Sequence, residues 1–389
     1  KKLTVPAMFL ALSVAGCGDL SETPTEPGSM GEPAGGAVLS EMEMVPELAE
    51  SGLPYVLVLD EEEPPSDVEG LVAAAGGRLL FHFPEVGLAV VEAGAAEFPA
   101  LAAQSNGVME VGSTGLWTLP TDELTAIQAD APTVGDDFYA NRQWSIRRVG
   151  ADQAWAAGFT GSHETVVAIL DTGIDDSHPD LAPNVVYQTC MQLSGPCGAD
   201  HLTNEHGTMV AGVVAAAFGS GRAVGVGPNL GLASYQVFED AGGAHDAVLW
   251  WAILDAADPD QGFQVINMSL GGYGNFAEYH ELSAAAWTAW NRVIGYAIRQ
   301  GVTVVASAGN GAISTNGAVF HIPGDIPGTI NVAGTAIRPD PVFPQPDGYD
   351  IQAFYSNSGA SVNLVAPGGD WGPGGDLLQD LPSGYLGMQ

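Results

Sequence analysis

An acidic side chain at the end of one predicted element and a basic side chain at the start of another could take part in a reaction together. Asp171 ends an unbroken apolar run, residues 166–170, which is typical of a strand buried on both faces. His206 begins a run of small and apolar residues that is compatible with a helix. A buried carboxylate needs a partner, because removing it from water alone is costly. We therefore predict a hydrogen bond between His206 and Asp171 that fixes the imidazole tautomer and stabilises the imidazolium during proton transfer.

A side-chain amide and two short segments form a second group. Asn310 ends the run VVASAGN, and an amide at a strand end can donate a hydrogen bond to a developing oxyanion, although asparagine also commonly ends a loop. The two segments are Ser269-Leu270-Gly271 and Ser307-Ala308-Gly309. Their glycines would leave the backbone open to an extended peptide, which can add to it as a strand.

Strands and helices alternate from residue 165 onward. Apolar runs predict strands at 166–170, 232–238, 265–268 and 302–307, and helical patterns begin at 206, 244 and 281. This alternation predicts an α/β fold in which a parallel sheet carries helices on both faces. Chemistry in such folds lies at the carboxyl ends of the strands, where Asp171, Ser269 and Asn310 are expected.

Residues 55–119 have a different pattern. Four apolar runs and two helical stretches follow one another in the order β-α-β-β-α-β. This order predicts a small α+β domain of the ferredoxin-like type ahead of the α/β domain.

Five motifs, in a matching order along the chain, resemble those of the subtilisin-like serine proteases, the subtilases. They are Asp171-Thr172-Gly173-Ile174-Asp175, His178-Pro179-Asp180-Leu181, His206-Gly207-Thr208 with Ala211-Gly212, Asn267-Met268-Ser269-Leu270-Gly271-Gly272 and Ala306-Ser307-Ala308-Gly309-Asn310. The resemblance implies hydrolysis of peptide bonds in proteins or peptides by a monomer, through an acyl-enzyme and without a required cofactor. It makes Asp171 the orienting carboxylate, His206 the general base and acid, and Asn310 the oxyanion donor. It also makes the two tripeptide segments substrate-binding backbone.

The resemblance also implies a domain organisation. The α+β domain, residues 53–120, resembles a subtilase propeptide, which would inhibit its own catalytic domain until a cut within the linker 121–138. Residues 139–389 then form the catalytic domain. The family's nucleophile motif, Gly-Thr-Ser-Met-Ala, is absent from this sequence and is expected after Gln389. The catalytic domain is therefore expected to be incomplete here, and this stretch alone to be inactive.

The first residues favour export. Two lysines and an apolar run predict a signal peptide over residues 1–16, and Val14-Ala15-Gly16-Cys17 resembles a lipobox whose Cys17 would be lipidated. Ordinary signal cleavage, with Cys17 incidental, is the alternative. Residues 17–52 read as a flexible linker to a lipid anchor in the cell envelope. Export to an oxidising compartment also favours a disulfide between Cys190 and Cys197.

Charge and candidate ligands limit the partners. The net charge of −36, from 46 acidic against 10 basic residues, argues against nucleic acid, whose phosphates need Lys and Arg. Asp180 matches a position that binds calcium in some relatives. The loop Phe218-Gly219-Ser220-Gly221-Arg222, however, lacks the asparagine that those relatives use there. Calcium binding therefore rests on one candidate ligand.

Two other classes of function compete with a serine protease. Asp171-Thr172-Gly173 is also the aspartic-protease signature, but that chemistry needs a second such motif, and this sequence has none. The other alternative is a catalytically dead, subtilase-like surface protein that binds peptides without cleaving them.

Overall fold

The structure is a computed structural model that describes residues 54–118, 143–193, 195–197, 205–219, 223–239, 243–277, 280–338 and 349–369. The predicted signal peptide, the lipidation site Cys17 and the linkers 17–52 and 121–138 lie outside the described residues. Within the described ranges, no helix is long and apolar enough to cross a membrane.

The N-terminal part of the described chain is a small antiparallel sheet with two helices. Its elements are β1 (Tyr55–Leu59), α1 (Val68–Ala74), β2 (Arg78–Phe83), β3 (Leu88–Glu92), α2 (Phe98–Ala102) and β4 (Val108–Ser113). The strands lie in the order β2-β3-β1-β4, and every neighbouring pair is antiparallel. The sequence order is the β-α-β-β-α-β order that the pattern predicts, with a 3₁₀ turn, Pro84–Val86, between β2 and β3.

A nine-stranded, mostly parallel sheet forms the centre of the larger part. Its strands are β6 (Val166–Asp171), β7 (Val185–Gln192), β8 (Gly195–Pro196), β9 (Gly231–Gln236), β11 (Val265–Met268), β13 (Thr303–Ser307), β15 (Ile330–Arg338), β16 (Tyr349–Gln352) and β17 (Leu364–Pro367). They lie in the order β16-β15-β13-β11-β6-β9-β7-β8, and β17 also pairs with β15. Two short antiparallel pairs complete the strands. They are β5 (Leu116–Thr118) with β10 (Gly243–His245), and β12 (Gly272–Asn275) with β14 (Val319–Ile322).

Two short helices, α3 (Trp144–Arg148) and α4 (Ala151–Ala156), precede β6. Helices α5 (His206–Ala215), α6 (Asp246–Ala256) and α7 (His280–Arg299) pack on the two faces of the central sheet. Along β6, Val167 and Ile169 pack with residues of α5, whereas Ala168 and Leu170 share a core with α6 and α7. This double burial explains the unbroken apolar run, and the predicted parallel sheet with helices on both faces is confirmed.

The N-terminal sheet buries its second face against the larger part. Leu57 and Leu59 point to a core with α1 and α2, but Val56 and Val58, which alternate with them, belong to the core that contains α6 and α7. Contacts between aromatic rings, such as Phe81 with Trp251 at 5.8 Å between centroids, extend this packing. The two parts therefore share one hydrophobic interface.

The segment that contains Cys190 forms a strand that the apolar pattern does not predict. Residues 185–192 form β7, a strand next to β9, and Cys190 lies on it. Exposed residues alternate with partly buried ones over residues 185–189, and glutamine and threonine interrupt the segment, so it lacks the apolar run by which the other strands were predicted. A tight pair with β8 brings Cys190 and Cys197 together as a disulfide, with 5.2 Å between their Cα atoms.

Candidate active site

Asp171 and His206 meet at the carboxyl end of β6. Asp171, the last residue of that strand, is fully buried, and its Oδ1 and Oδ2 lie 2.8 and 3.0 Å from His206 Nδ1. The backbone N–H of Thr172 donates to the same Oδ1 at 2.7 Å. An ionised carboxylate only accepts hydrogen bonds, so His206 Nδ1 carries the proton and Nε2 is the ring nitrogen that can accept one.

The start of α5 is tied directly to the turn after β6. The backbone N–H of Gly207 donates to Thr172 Oγ1 at 2.9 Å, and Thr208 Oγ1 accepts the N–H of Asp175 at 3.0 Å. A side chain at Gly207 would collide with the carbonyl oxygen of Gly173. The glycine after His206 therefore lets the helix approach the strand end closely enough for the histidine to reach Asp171.

His206 has a basicity suited to proton transfer. Burial lowers the pKa of this imidazole, but the charge of Asp171 and the hydrogen bond to it raise the pKa, and the net result is a value above 6.5. The side chain keeps 22% of its surface exposed. His206 can therefore accept a proton from a group that approaches from solvent.

Asn310 lies at the same edge of the sheet. It follows β13 and is exposed, and β13 is parallel to β11, which is parallel to β6. Its loop is held from behind by Tyr273, whose Oη accepts the N–H of Gly311 at 2.7 Å. Asn357 Nδ2 donates to the same Oη at 2.9 Å. The amide of Asn310 thus stands on a fixed loop at the edge that carries Asp171.

The two predicted tripeptide segments follow neighbouring strands and contact each other. Ser307 Oγ donates to the carbonyl of Leu270 at 3.3 Å. The backbone of Ala308 is already used, since its N–H donates to Val332 O at 2.9 Å and its carbonyl accepts from Asn357 Nδ2 at 2.8 Å. The N–H of Ala308 and one acceptor position of its carbonyl are therefore used within the protein, and the role of the 307–309 segment in binding a peptide stays a prediction.

A histidine that the sequence did not single out lies behind both segments. His321 is fully buried on β14, and Cβ atoms added to Gly271 or Gly309 would overlap its ring. Burial lowers the pKa of His321 to about 4, although Asp325 and a hydrogen bond to the Ser307 backbone act in the opposite direction. The ring is therefore neutral at pH 7 and acts as a spacer between the segments. A single histidine within an apolar strand gives no sign in the sequence that its ring lies between two glycines.

The remaining predicted residues lie away from this edge. Asp180 is buried near the far end of α5, where its Oδ2 accepts the N–H of Ala223 at 2.9 Å and its Oδ1 has no hydrogen-bond partner. The described ranges contain no group of three or more His, Cys, Asp or Glu that could hold a metal ion. Calcium takes six to eight oxygen ligands, so Asp180 alone does not make up a site.

Comparison with known proteins places this geometry in a family. The family model described as "Subtilase family" matches residues 162–386, a range that contains Asp171, His206 and Asn310. The chain belongs to the subtilase family. Thermitase of Thermoactinomyces vulgaris is 30% identical to this subtilase over 243 residues, which are 61% of this chain and 74% of thermitase. Subtilisin E of Bacillus subtilis (strain 168) is 29% identical over 263 residues, which are 65% of this chain.

Solved structures agree on the fold. The epidermin leader peptide processing serine protease of Staphylococcus aureus superposes with a TM-score of 0.63 at 23% identity, covering 82% of this subtilase and 75% of that chain. The match spans 58% of the length of subtilisin E, so this subtilase covers little more than half of such a relative.

Proposed function

We propose that this subtilase is part of a serine endopeptidase zymogen. The observation that carries the proposal is the buried Asp171 with its 2.8 Å contact to His206 Nδ1 at the strand edge shared with Asn310. Family membership supports a serine-type peptidase acting on proteins or peptides. The nucleophile is the serine of the Gly-Thr-Ser-Met-Ala motif expected after Gln389.

Each residue has one role in the proposed reaction. His206 Nε2 takes the proton of the attacking serine hydroxyl while Asp171 holds Nδ1–H and stabilises the imidazolium. The Asn310 amide donates to the oxyanion of the tetrahedral intermediate. His206 then returns the proton to the leaving amine, and water hydrolyses the acyl-enzyme by the same route. The chemistry needs no metal ion.

The N-terminal domain is proposed as the intramolecular inhibitor. Its sheet buries Val56 and Val58 in the core that contains α6 and α7, and that surface would be exposed if the domain were free. Arg292 of α7 reinforces the contact: its Nη1 donates to the carbonyls of Leu59, Val86 and Gly87 at 2.8, 3.2 and 3.0 Å. We further propose export, a signal peptide and a lipid anchor at Cys17, on the sequence pattern alone.

Arg292→Ala should weaken the hold of the N-terminal domain on the catalytic domain. Hydrogen bonds to a charged group contribute roughly 1.5–3 kcal/mol, so docking should weaken about 30-fold. The measurement is the inhibition that remains after the cleaved domain is diluted from the processed protein. Arg299→Ala, an exposed residue of the same helix, is the matched control and should leave inhibition unchanged. Equal inhibition in both variants would show that Arg292 does not hold the domain.

The pKa of His206 should depend on the charge of Asp171. In the wild type, the pKa lies above 6.5, so the neutral imidazole that acts as a base forms only as pH rises past that value. Asp171→Asn removes the charge that raises the pKa and leaves burial, which lowers it. The titration should therefore move to lower pH in the variant. NMR of the His206 imidazole measures this without turnover, and a midpoint that does not move would contradict the assigned pair.

The function itself is tested on the protein encoded by the complete gene. After processing, it should cleave an unfolded protein substrate. A serine-directed phosphonate should abolish this activity, whereas a pepstatin-type inhibitor should leave it unchanged. Inhibition by the pepstatin type alone would identify an aspartic protease. Peptide binding without any cleavage would identify the inactive surface protein.

A further inference from the structure

A short N-terminal segment lies beside the substrate-binding backbone. Strand β5 adds antiparallel to β10, with Trp117 opposite Ala244 and Leu116 opposite His245. Trp117 is 8% exposed, and its ring covers Gly272, where any added Cβ would overlap the indole. Gly272 directly follows the predicted segment 269–271. The indole therefore occupies a pocket at the edge of the peptide-binding backbone, in the way that an added peptide strand places a side chain.

A buried carboxylate forms the polar base of this pocket. Asp246, the first residue of α6, is fully buried. Its Oδ1 accepts Trp117 Nε1–H at 2.6 Å and Trp290 Nε1–H at 2.9 Å, and its Oδ2 accepts the N–H of Gly115 at 2.7 Å. Two of these three donors belong to the N-terminal segment. When that segment leaves the pocket, Trp290 is the donor to Asp246 that remains of these three.

We propose that this pocket is a substrate subsite that selects an indole side chain, and that Asp246 is its specificity-determining residue. The inference rests on the proposed peptidase function. A substrate tryptophan would replace both the ring of Trp117 over Gly272 and its N–H on Asp246. Phenylalanine or leucine fills part of the space but donates nothing, so the carboxylate would be left short of a partner in a buried site.

The electrostatics of the pocket agree with this selection. Burial raises the pKa of Asp246 to about 6, and the hydrogen bonds from Gly115, Trp117 and Trp290 lower it in part. The three donors thus favour the ionised, accepting form of Asp246 while the segment is in place. A substrate that brings a donor restores what the departing segment removed.

The proposal is tested with pairs of substrates that differ only in whether the ring carries the indole N–H. In one series of peptides, tryptophan moves through successive positions, and in a second series benzothienylalanine, its isostere without N–H, replaces it. At one position, kcat/KM of the processed wild-type protein should be about tenfold higher for the tryptophan peptide than for the benzothienylalanine peptide. This ratio is the one expected when a single hydrogen bond to a charged group is lost. In Asp246→Leu the ratio should fall to about one. A ratio near one at every position in the wild type, or a ratio unchanged in Asp246→Leu, overturns the proposal.

A matched control and a second measurement complete the test. Asp255→Asn, on the same helix, alters a carboxylate that accepts from Tyr235 Oη at 2.7 Å, and the tryptophan preference should stay as in the wild type. If no peptide is cleaved, the proposed function fails, and amide exchange in the unprocessed protein decides the inference. Trp117→Phe should speed exchange at residues 243–245 about tenfold, while Trp155→Phe should not. Equal exchange in both variants overturns indole recognition by Asp246.

Discussion

Asp171→Asn should lower kcat/KM about 10⁴-fold in the processed protein, the size of loss known for this substitution in a serine-protease triad. The amide has nearly the same shape as the carboxylate, so the contact to His206 Nδ1 remains, but the charge does not. An asparagine can present its N–H₂ to Nδ1, which then favours the tautomer with the proton on Nε2. That tautomer cannot accept the serine proton. The measurement is kcat/KM on a peptide substrate.

Asp175→Asn is the matched control for this substitution. Asp175 lies four residues further along the same turn, where its Oδ1 accepts the backbone N–H and the hydroxyl of Ser177 at 2.9 and 2.6 Å. An asparagine oxygen can accept both bonds, so activity should stay within about threefold of the wild type. A loss of similar size in both variants would mean that the turn, rather than the Asp171–His206 pair, is what the substitutions damage.

Asn310→Ala should lower kcat by about 10²–10³-fold and leave KM nearly unchanged, because an oxyanion donor binds the transition state and not the substrate. The side chain is exposed, so its removal should change the free energy of unfolding by under about 0.5 kcal/mol. Kinetics and a denaturant titration on the same sample measure both quantities.

The comparison that separates the possible roles of Asn310 is between kinetics and stability. If Asn310 only ended the loop, its replacement would lower the free energy of unfolding of the protein and would change kcat little. The loop is held by the bond from Gly311 N–H to Tyr273 Oη, so it should keep its shape in the variant. An unchanged kcat would remove Asn310 from the proposed mechanism.

The contact between Asp171 and His206 could be predicted because its signals are local. Asp171 follows a strand whose two buried faces make an unbroken apolar run, and His206 opens a helix with a glycine next to it. Parallel topology then brings their strand and helix ends to one edge. The order of the N-terminal elements, and of the buried strands β6, β9, β11 and β13 with the helices between them, followed from periodicity for the same reason.

The indole pocket could not be predicted, because its parts are far apart in the sequence. Trp117 and Asp246 are 129 positions apart, and their contact depends on how the N-terminal domain docks. Asp246 reads as an ordinary acidic residue at a helix start, where the helix dipole favours it. Strand β5 has three residues, too few for periodicity to show. His321 was missed because its role is to occupy space between Gly271 and Gly309.

Covalent labelling tests the central claim most directly. The processed protein from the complete gene is treated with a serine-directed phosphonate, and the adduct is located by mass spectrometry. The proposed mechanism predicts one adduct, on the serine of a Gly-Thr-Ser-Met-Ala motif after Gln389, and near-complete loss of labelling in His206→Ala. No adduct, or an adduct that forms equally fast in His206→Ala, would contradict the assignment of Asp171 and His206 to a serine-protease triad.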